Sequence, residues 1–232
     1  LRCYPRALQA DLDICRDLGI DVVFAPREEE MYPVSPCCTV DIIRIADHLC
    51  GQHRPGHFRG VATVVLKLFQ IVQPNRAYFG EKDAQQTAIV RRLVRDFNMP
   101  LDVVEVPIVR EPDGLAVSSR NAHLQPEERQ VAVVLYRALR EARGRIAAGE
   151  TDPAAVRERA AACVPDGCGV RLEYLEIVDP DDIQPVEMIT GTVRVAGALW
   201  VGKTRLIDNI LCTPESDRPQ PPTLKAVSRD KG

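Results

Sequence analysis

The sequence carries eight cysteines in 232 residues, yet no two of them stand at CxxC spacing. That argues against a zinc ribbon or a thioredoxin-like redox motif. Reduced, mostly buried thiols in a cytoplasmic protein are the expectation instead. Long apolar runs are missing too: none approaches the roughly 20 residues of a membrane span, and no signal-peptide pattern appears. An excess of one charge is also lacking. The 30 basic and 33 acidic residues leave a net charge of −3. There is thus no general electrostatic reason to expect nucleic acid or an anionic membrane as partner. Lysine is scarce, since 25 of the 30 basic residues are arginine. No internal repeat is visible. The first residue is Leu1 rather than methionine, and a helical pattern begins almost at once. This leads to the expectation of a cut inside a domain, with further chain upstream.

The composition, 45% hydrophobic and 27% charged, is that of an ordinary globular protein able to bury a core. Leu8, Leu12, Ile14, Cys15 and Leu18 recur at close to helical spacing over residues 7–18, and Gly19 is a natural stop. Short strands are predicted at 21–25 and 38–43. A loop rich in Gly, Pro and His covers Gly51–Gly60. A buried helix over 61–72 follows, then a strand at 76–79, a helix over 83–97 and a strand at 103–106. Alternating strands and helices predict an α/β, doubly wound parallel sheet with ligands at the carboxyl ends of its strands.

The pattern changes near residue 109. One long helix is predicted from Pro126 to Ala148, and another from Pro153 to Cys163 with Thr151 or Asp152 as its cap. Strands at 171–178, 192–199 and 205–212 complete a smaller α+β unit with an antiparallel sheet. The expected domains are therefore 1–108 and 109–212, with a Pro-rich, disordered tail over 213–232.

Four segments could carry chemistry. In Tyr78-Phe-Gly-Glu-Lys-Asp-Ala-Gln-Gln86, Gly80 permits a tight strand-to-helix turn and Asp83 is placed to cap the next helix. Backbone N–H groups there can receive phosphate, Lys82 adds positive charge, and Gln85 and Gln86 offer amides to a substrate hydroxyl or carboxylate. A solvated turn with an ordinary cap explains the same residues, and spacing alone favours it. In Arg110-Glu-Pro-Asp-Gly-Leu-Ala-Val-Ser-Ser-Arg-Asn121, two hydroxyls, Arg120 and Asn121 could grip phosphate oxygens. The Pro112-Asp-Gly114 turn could let that loop move. A serine that merely caps a helix fits equally well.

The loop with His53, Arg54, His57 and Arg59 has histidines four apart, but Pro55 and Gly56 between them oppose a helical metal site. An anion-facing loop led by Arg54 is the better reading. Gly197-Ala-Leu-Trp-Val-Gly-Lys-Thr204 matches the P-loop pattern letter for letter. Its context opposes that role, because the following run reads as a strand and Gly202 as a turn. Glu28–Glu30 and the Arg91, Arg92, Arg95 face read as solvated surface.

Taken in order, several blocks resemble the pantothenate synthetase family of pantoate–β-alanine ligases. They are Tyr4-Pro-Arg6, Val23-Phe-Ala-Pro26, Glu30-Met-Tyr-Pro33, Arg54–Val65, Tyr78–Gln86, Arg110–Asn121 and Thr204–Asn209, and the likeness covers about residues 2–212. The resemblance implies a Rossmann-like nucleotidyltransferase domain, truncated at its N-terminus, followed by a smaller C-terminal domain, in a cytoplasmic homodimer. It also implies a two-step reaction using ATP and Mg²⁺. Pantoate attacks the α-phosphate to give pantoyl adenylate and pyrophosphate, and β-alanine then displaces AMP.

Carried over by position, the resemblance assigns Gly80, Glu81, Lys82, Asp83, Val109, Val117, Ser118, Ser119 and Arg120 to ATP. Lys82, Ser118, Ser119 and Arg120 are the catalytic set, the last three with Val117 forming the counterpart of the KMSKS loop. Gln86 is assigned to pantoate, and Arg54 to substrate or dimer contacts. Val117 stands where the family often has Met or Leu, and His123 where it often has Tyr. The family's HxGH segment, with its catalytic histidine and a pantoate-gripping glutamine, would lie before Leu1. The alternative reading is accordingly a shortened, inactive nucleotide-binding or dimerising remnant, with a P-loop NTPase a distant third.

Overall fold

The structure, a computed structural model, describes residues 8–165, 167 and 169–214. The Tyr4–Arg6 block and nearly all of the expected disordered tail lie outside these residues.

In the first half, α1 (Leu8–Asp17), α2 (Glu28–Met31), α3 (Cys50–His53) and α4 (His57–Val72) precede strand β1 (Arg76–Gly80). Helix α5 (Ala84–Asp96) crosses over to β2 (Asp102–Val106), which pairs parallel to β1 from Arg76↔Asp102 to Gly80↔Val106. Parallel pairing needs a crossover of this length, and a helix supplies it while satisfying its own backbone. Helix α5 buries Ala88, Ile89, Val90 and Leu93, with Ala88 and Ile89 in a cluster shared with Phe58 and with Val178 and Ala196 of the second half.

Two expectations fail here. Residues 21–25 and 38–43 are not strands. A strand exists only where a neighbour takes its N–H and C=O groups, and among the described residues β1 pairs with β2 alone. Val22 and Ile43 are accordingly each 81% exposed. The 51–60 segment is also more ordered than a loop, since α3 ends in it and α4 begins in it.

The second half contains α6 (Pro126–Val131), α7 (Val134–Ala147), α8 (Pro153–Ala161) and strands β3 (Val170–Val178), β4 (Val193–Val201) and β5 (Thr204–Cys212), which form an antiparallel sheet in the order β3-β4-β5. The single helix predicted over 126–148 is broken. It ends at Val131 and resumes at Val134, with the buried Ala132 and Val133 forming a turn between α6 and α7. Of the two candidate caps for α8, Asp152 serves: its Oδ1 accepts the Ala154 N–H at 2.8 Å.

Alternation along β4 and β5 sends one set of side chains each way. Val193, Val195, Leu199, Val201, Leu206 and Cys212 pack under α7 and α8. Ala196 and Ile207 face the other way, against Leu49, Phe58 and Ala88 of the first half. The antiparallel sheet is therefore covered on both faces, and its far face helps build the site. The expectation of mostly buried thiols also needs correction. Of the six free cysteines among the described residues, only Cys50 and Cys212 are buried, while Cys37, Cys38 and Cys163 are exposed.

Candidate functional site

An open cleft lies between the carboxyl end of β1 and the far face of β5. Arg54, Lys82, Asp83, Gln86 and Arg120 form its walls, together with Arg205. A smaller hollow adjoins it, shared by Lys82 and Arg120 and lined also by Ser118 and Asn121. The structure thus brings together residues as far apart as 54, 82 and 120. Gly80, Glu81, Val109, Val117 and Ser119 do not form these walls. Val109 and Val117 instead join their backbones, Val117 N–H donating to Val109 O at 2.9 Å, with both side chains exposed.

The turn after β1 continues as one turn of 3₁₀ helix, Glu81–Asp83. Asp83 occupies the cap position of α5, yet its carboxylate makes no cap hydrogen bond, contrary to expectation. Its backbone there lies outside the usual extended range of a cap, at φ −94° and ψ 53°. The carboxylate is left to the cleft. The two glutamines separate cleanly. Gln85 is buried, its amide donating to Ile45 O and His48 O at 2.7 Å each. Gln86 is half-buried and faces the cleft.

The second segment is tied down rather than loose. Arg110 donates to both oxygens of Asp208 at 2.7 and 2.9 Å and to Gly114 O at 3.0 Å. Its guanidinium lies 4.1 Å over the Tyr136 ring. Gly114 has φ +98°, and a Cβ there would come within 2.2 Å of that ring, so glycine is required. Ser118 Oγ accepts the Arg120 N–H at 3.3 Å, the capping role, and also lines the hollow.

Cations dominate the cleft. Burial, with Arg120 and Arg205 close by, pulls Arg54 below the ordinary guanidinium value. Burial and then Arg54 pull His57 below the ordinary imidazole value. The Arg54 guanidinium can only donate, so at 2.9 Å the His57 Nε2 is the acceptor and the imidazole is neutral. Arg205 is held by Glu173, with N–O distances of 2.8 and 2.5 Å, and touches Cys50 Sγ at 3.5 Å. Such a constellation suits a polyanion.

Sequence reasoning missed Arg205, Asp208 and Asn209 as builders of this site, although all three sit in the quoted Thr204–Asn209 block. The available signal was polar residues inside an otherwise apolar strand, since Asp208 and Asn209 are 6% and 3% exposed.

The P-loop lookalike is a β-hairpin. Gly197 lies mid-strand in β4, and Gly202-Lys203 form the two-residue turn between paired Val201 and Thr204. Gly202 has φ +54° and packs on the Glu128 carboxylate, where a Cβ would lie 2.0 Å from an oxygen. Lys203→Ala is therefore expected to leave nucleotide affinity unchanged, as titration calorimetry would show.

The family profile described as pantoate–β-alanine ligase matches residues 1–211. The chain belongs to the pantoate–β-alanine ligase family. A pantothenate synthetase of Thermosipho africanus is 51% identical over 208 residues, which is 90% of this chain and 74% of that one. The Moorella thermoacetica enzyme is 49% identical over the same shares. Among solved structures, a pantothenate synthetase of Thermus thermophilus superposes with a TM-score of 0.85 at 44% identity, covering 90% of this chain and 75% of that one. The Francisella tularensis ligase, in complex with beta-gamma ATP and β-alanine, gives 0.70 at 34% identity, covering 90% and 71%. The α/β nucleotidyltransferase fold and membership in a family of ligases joining pantoate to β-alanine follow from these likenesses. No helix among the described residues is long and apolar enough to cross a membrane.

Proposed function

We propose that this chain joins pantoate to β-alanine at the expense of ATP through a pantoyl-adenylate intermediate. The observation that carries this reading is the convergence of Lys82, Arg54 and Arg120 on one cleft at the carboxyl end of β1. The Francisella relative's complex with an ATP species and β-alanine supports it. A pantoate carboxylate oxygen attacks the α-phosphorus, and pyrophosphate leaves with the bridging electron pair. The β-alanine nitrogen then attacks the acyl carbon, AMP departs, and the amine gives up a proton.

Both steps need positioning and charge neutralisation more than a protein nucleophile. Lys82 and Arg120 meet phosphate oxygens, with Gly80, Glu81, Asp83, Val109, Val117, Ser118 and Ser119 completing the ATP surroundings. Gln86 and Arg54 hold pantoate. Magnesium commonly takes one or two carboxylates plus phosphate oxygens and water. Asp208 is committed to Arg110, so Asp83 is the cleft carboxylate open to it. When bound, the ion neutralises phosphate charge. Residues 1–108 as the nucleotide- and pantoate-binding domain, 109–212 as the smaller domain, and a cytoplasmic homodimer belong to the same proposal.

Pantoate labelled with ¹⁸O in its carboxylate tests the reaction. One label should appear in AMP when ATP, magnesium and β-alanine are present. ADP as product, or unlabelled AMP, would overturn the adenylate. The less favoured reading, an inactive remnant, gains ground only if the chain binds ATP and yields no AMP.

A further inference from the structure

Asn209 carries an arrangement that its burial alone does not require. Its Nδ2 donates to Glu81 O at 2.9 Å and to Lys82 O at 3.1 Å, across 128 and 127 residues of chain. Its Oδ1 accepts from Arg194 Nη1, and Arg194 reaches the Glu81 carboxylate at 3.5 Å. The orientation of the amide follows from its neighbours. Two carbonyls can only accept and a guanidinium can only donate, so the NH₂ must face the turn and the oxygen must face Arg194. An amide satisfies both sides at once. A carboxylate of the same shape would suit Arg194 and repel the carbonyls.

The Glu81–Asp83 turn has few other ties to the second half. The Glu81 carboxylate goes to Arg194, and the Asp83 side chain does not cap α5. The amide of Asn209 thus fixes the backbone of Lys82, which lines the cleft. It does so from the strand that also carries Arg205, and Arg205 O accepts from Arg120 Nη1 at 3.3 Å. One strand therefore holds the Lys82 turn directly and touches the Arg120 side chain.

We propose that Asn209 is a positioning residue for the ligase reaction: its side-chain NH₂, bound to the Glu81 and Lys82 carbonyls, sets where Lys82 meets the nucleotide phosphates. This rests on the reading that Lys82 faces ATP. Asn209 itself lies 3% exposed and acts through the turn.

Asn209→Asp keeps the shape and the Arg194 contact while abolishing both donations. In the full chain it should weaken ATP binding about tenfold, the loss of two hydrogen bonds at a buried site. Amide exchange at residues 81–84 should speed up, with β3–β5 unchanged. The decisive readout is coupling. In a Lys82→Ala background Asn209→Asp should add little further loss of ATP affinity, because both act through one contact. Should Asn209→Asp not fold, Asn209→Ala is read in the same way. If Lys82→Ala weakens ATP binding and the Asn209 variants do not, the positioning role is wrong. If the two losses simply add, Asn209 is only structural. If Lys82→Ala changes nothing, the phosphate reading fails and this inference with it.

Discussion

Lys82→Ala is expected to raise the ATP dissociation constant and slow AMP formation together. The loss should amount to about 2–4 kcal/mol of transition-state stabilisation, typical of removing a charge-assisted contact made where charge develops. The reason lies in the cleft's geometry. Lys82 lines both the main cleft and the adjoining hollow, and Arg120 is another cation common to the two. Arg120→Ala should therefore cost a similar amount. Arg120 also donates to Arg205 O at 3.3 Å, so Arg120→Lys, which keeps charge but not the planar fork, should recover only part of the rate. Single-turnover assays with saturating pantoate separate ATP binding from the chemical step. Wild-type rates in both alanine variants would remove the phosphate clamp from the account.

Asp208→Ala should produce the largest loss of stability, about 3–5 kcal/mol by urea denaturation, because it strands a charge away from water. The side chains of Asp208 and Arg110 are 5% and 19% exposed, and two hydrogen bonds join them in parallel. Removing the carboxylate leaves the guanidinium with Gly114 O, Asn209 O and the Tyr136 ring. None of them cancels its charge. A midpoint within error of wild type would show that solvent reaches Arg110 more freely than its burial implies.

Much of this protein was legible from local pattern. The apolar run after Arg59 became α4, Arg76–Phe79 became β1, and the three late strands fell within a residue or two of their predicted limits. What failed depended on distant partners. Val22, Val23 and Phe24 have strand-like chemistry, but a strand is a relation between two segments, and no ladder forms there. The break at Ala132–Val133 carries no Gly or Pro, so nothing in the local sequence signals it. At the site, the resemblance marked Lys82, Gln86 and Arg120, and the cleft gathers them. Their supports stayed hidden because Asp208 and Asn209 reach partners 98 to 128 positions away. A short buried amide looks the same in the sequence whether it ends a strand or braces a turn 128 positions away.

The placement of β5 has a consequence for the order in which the molecule comes into being. Synthesis delivers β1, α5 and the Lys82 turn more than a hundred residues before Thr204–Cys212 leaves the ribosome, and domains tend to fold as they emerge. During that interval the early half can form helices and pair its two strands, but the carbonyls of Glu81 and Lys82 have no Asn209 to receive, and Arg110 has no counter-ion. Contacts of such sequence separation are slow to close. The nascent protein therefore passes through a period in which β1, α5 and β2 are in place and the cleft is unbuilt, and its walls are completed only when β5 joins them.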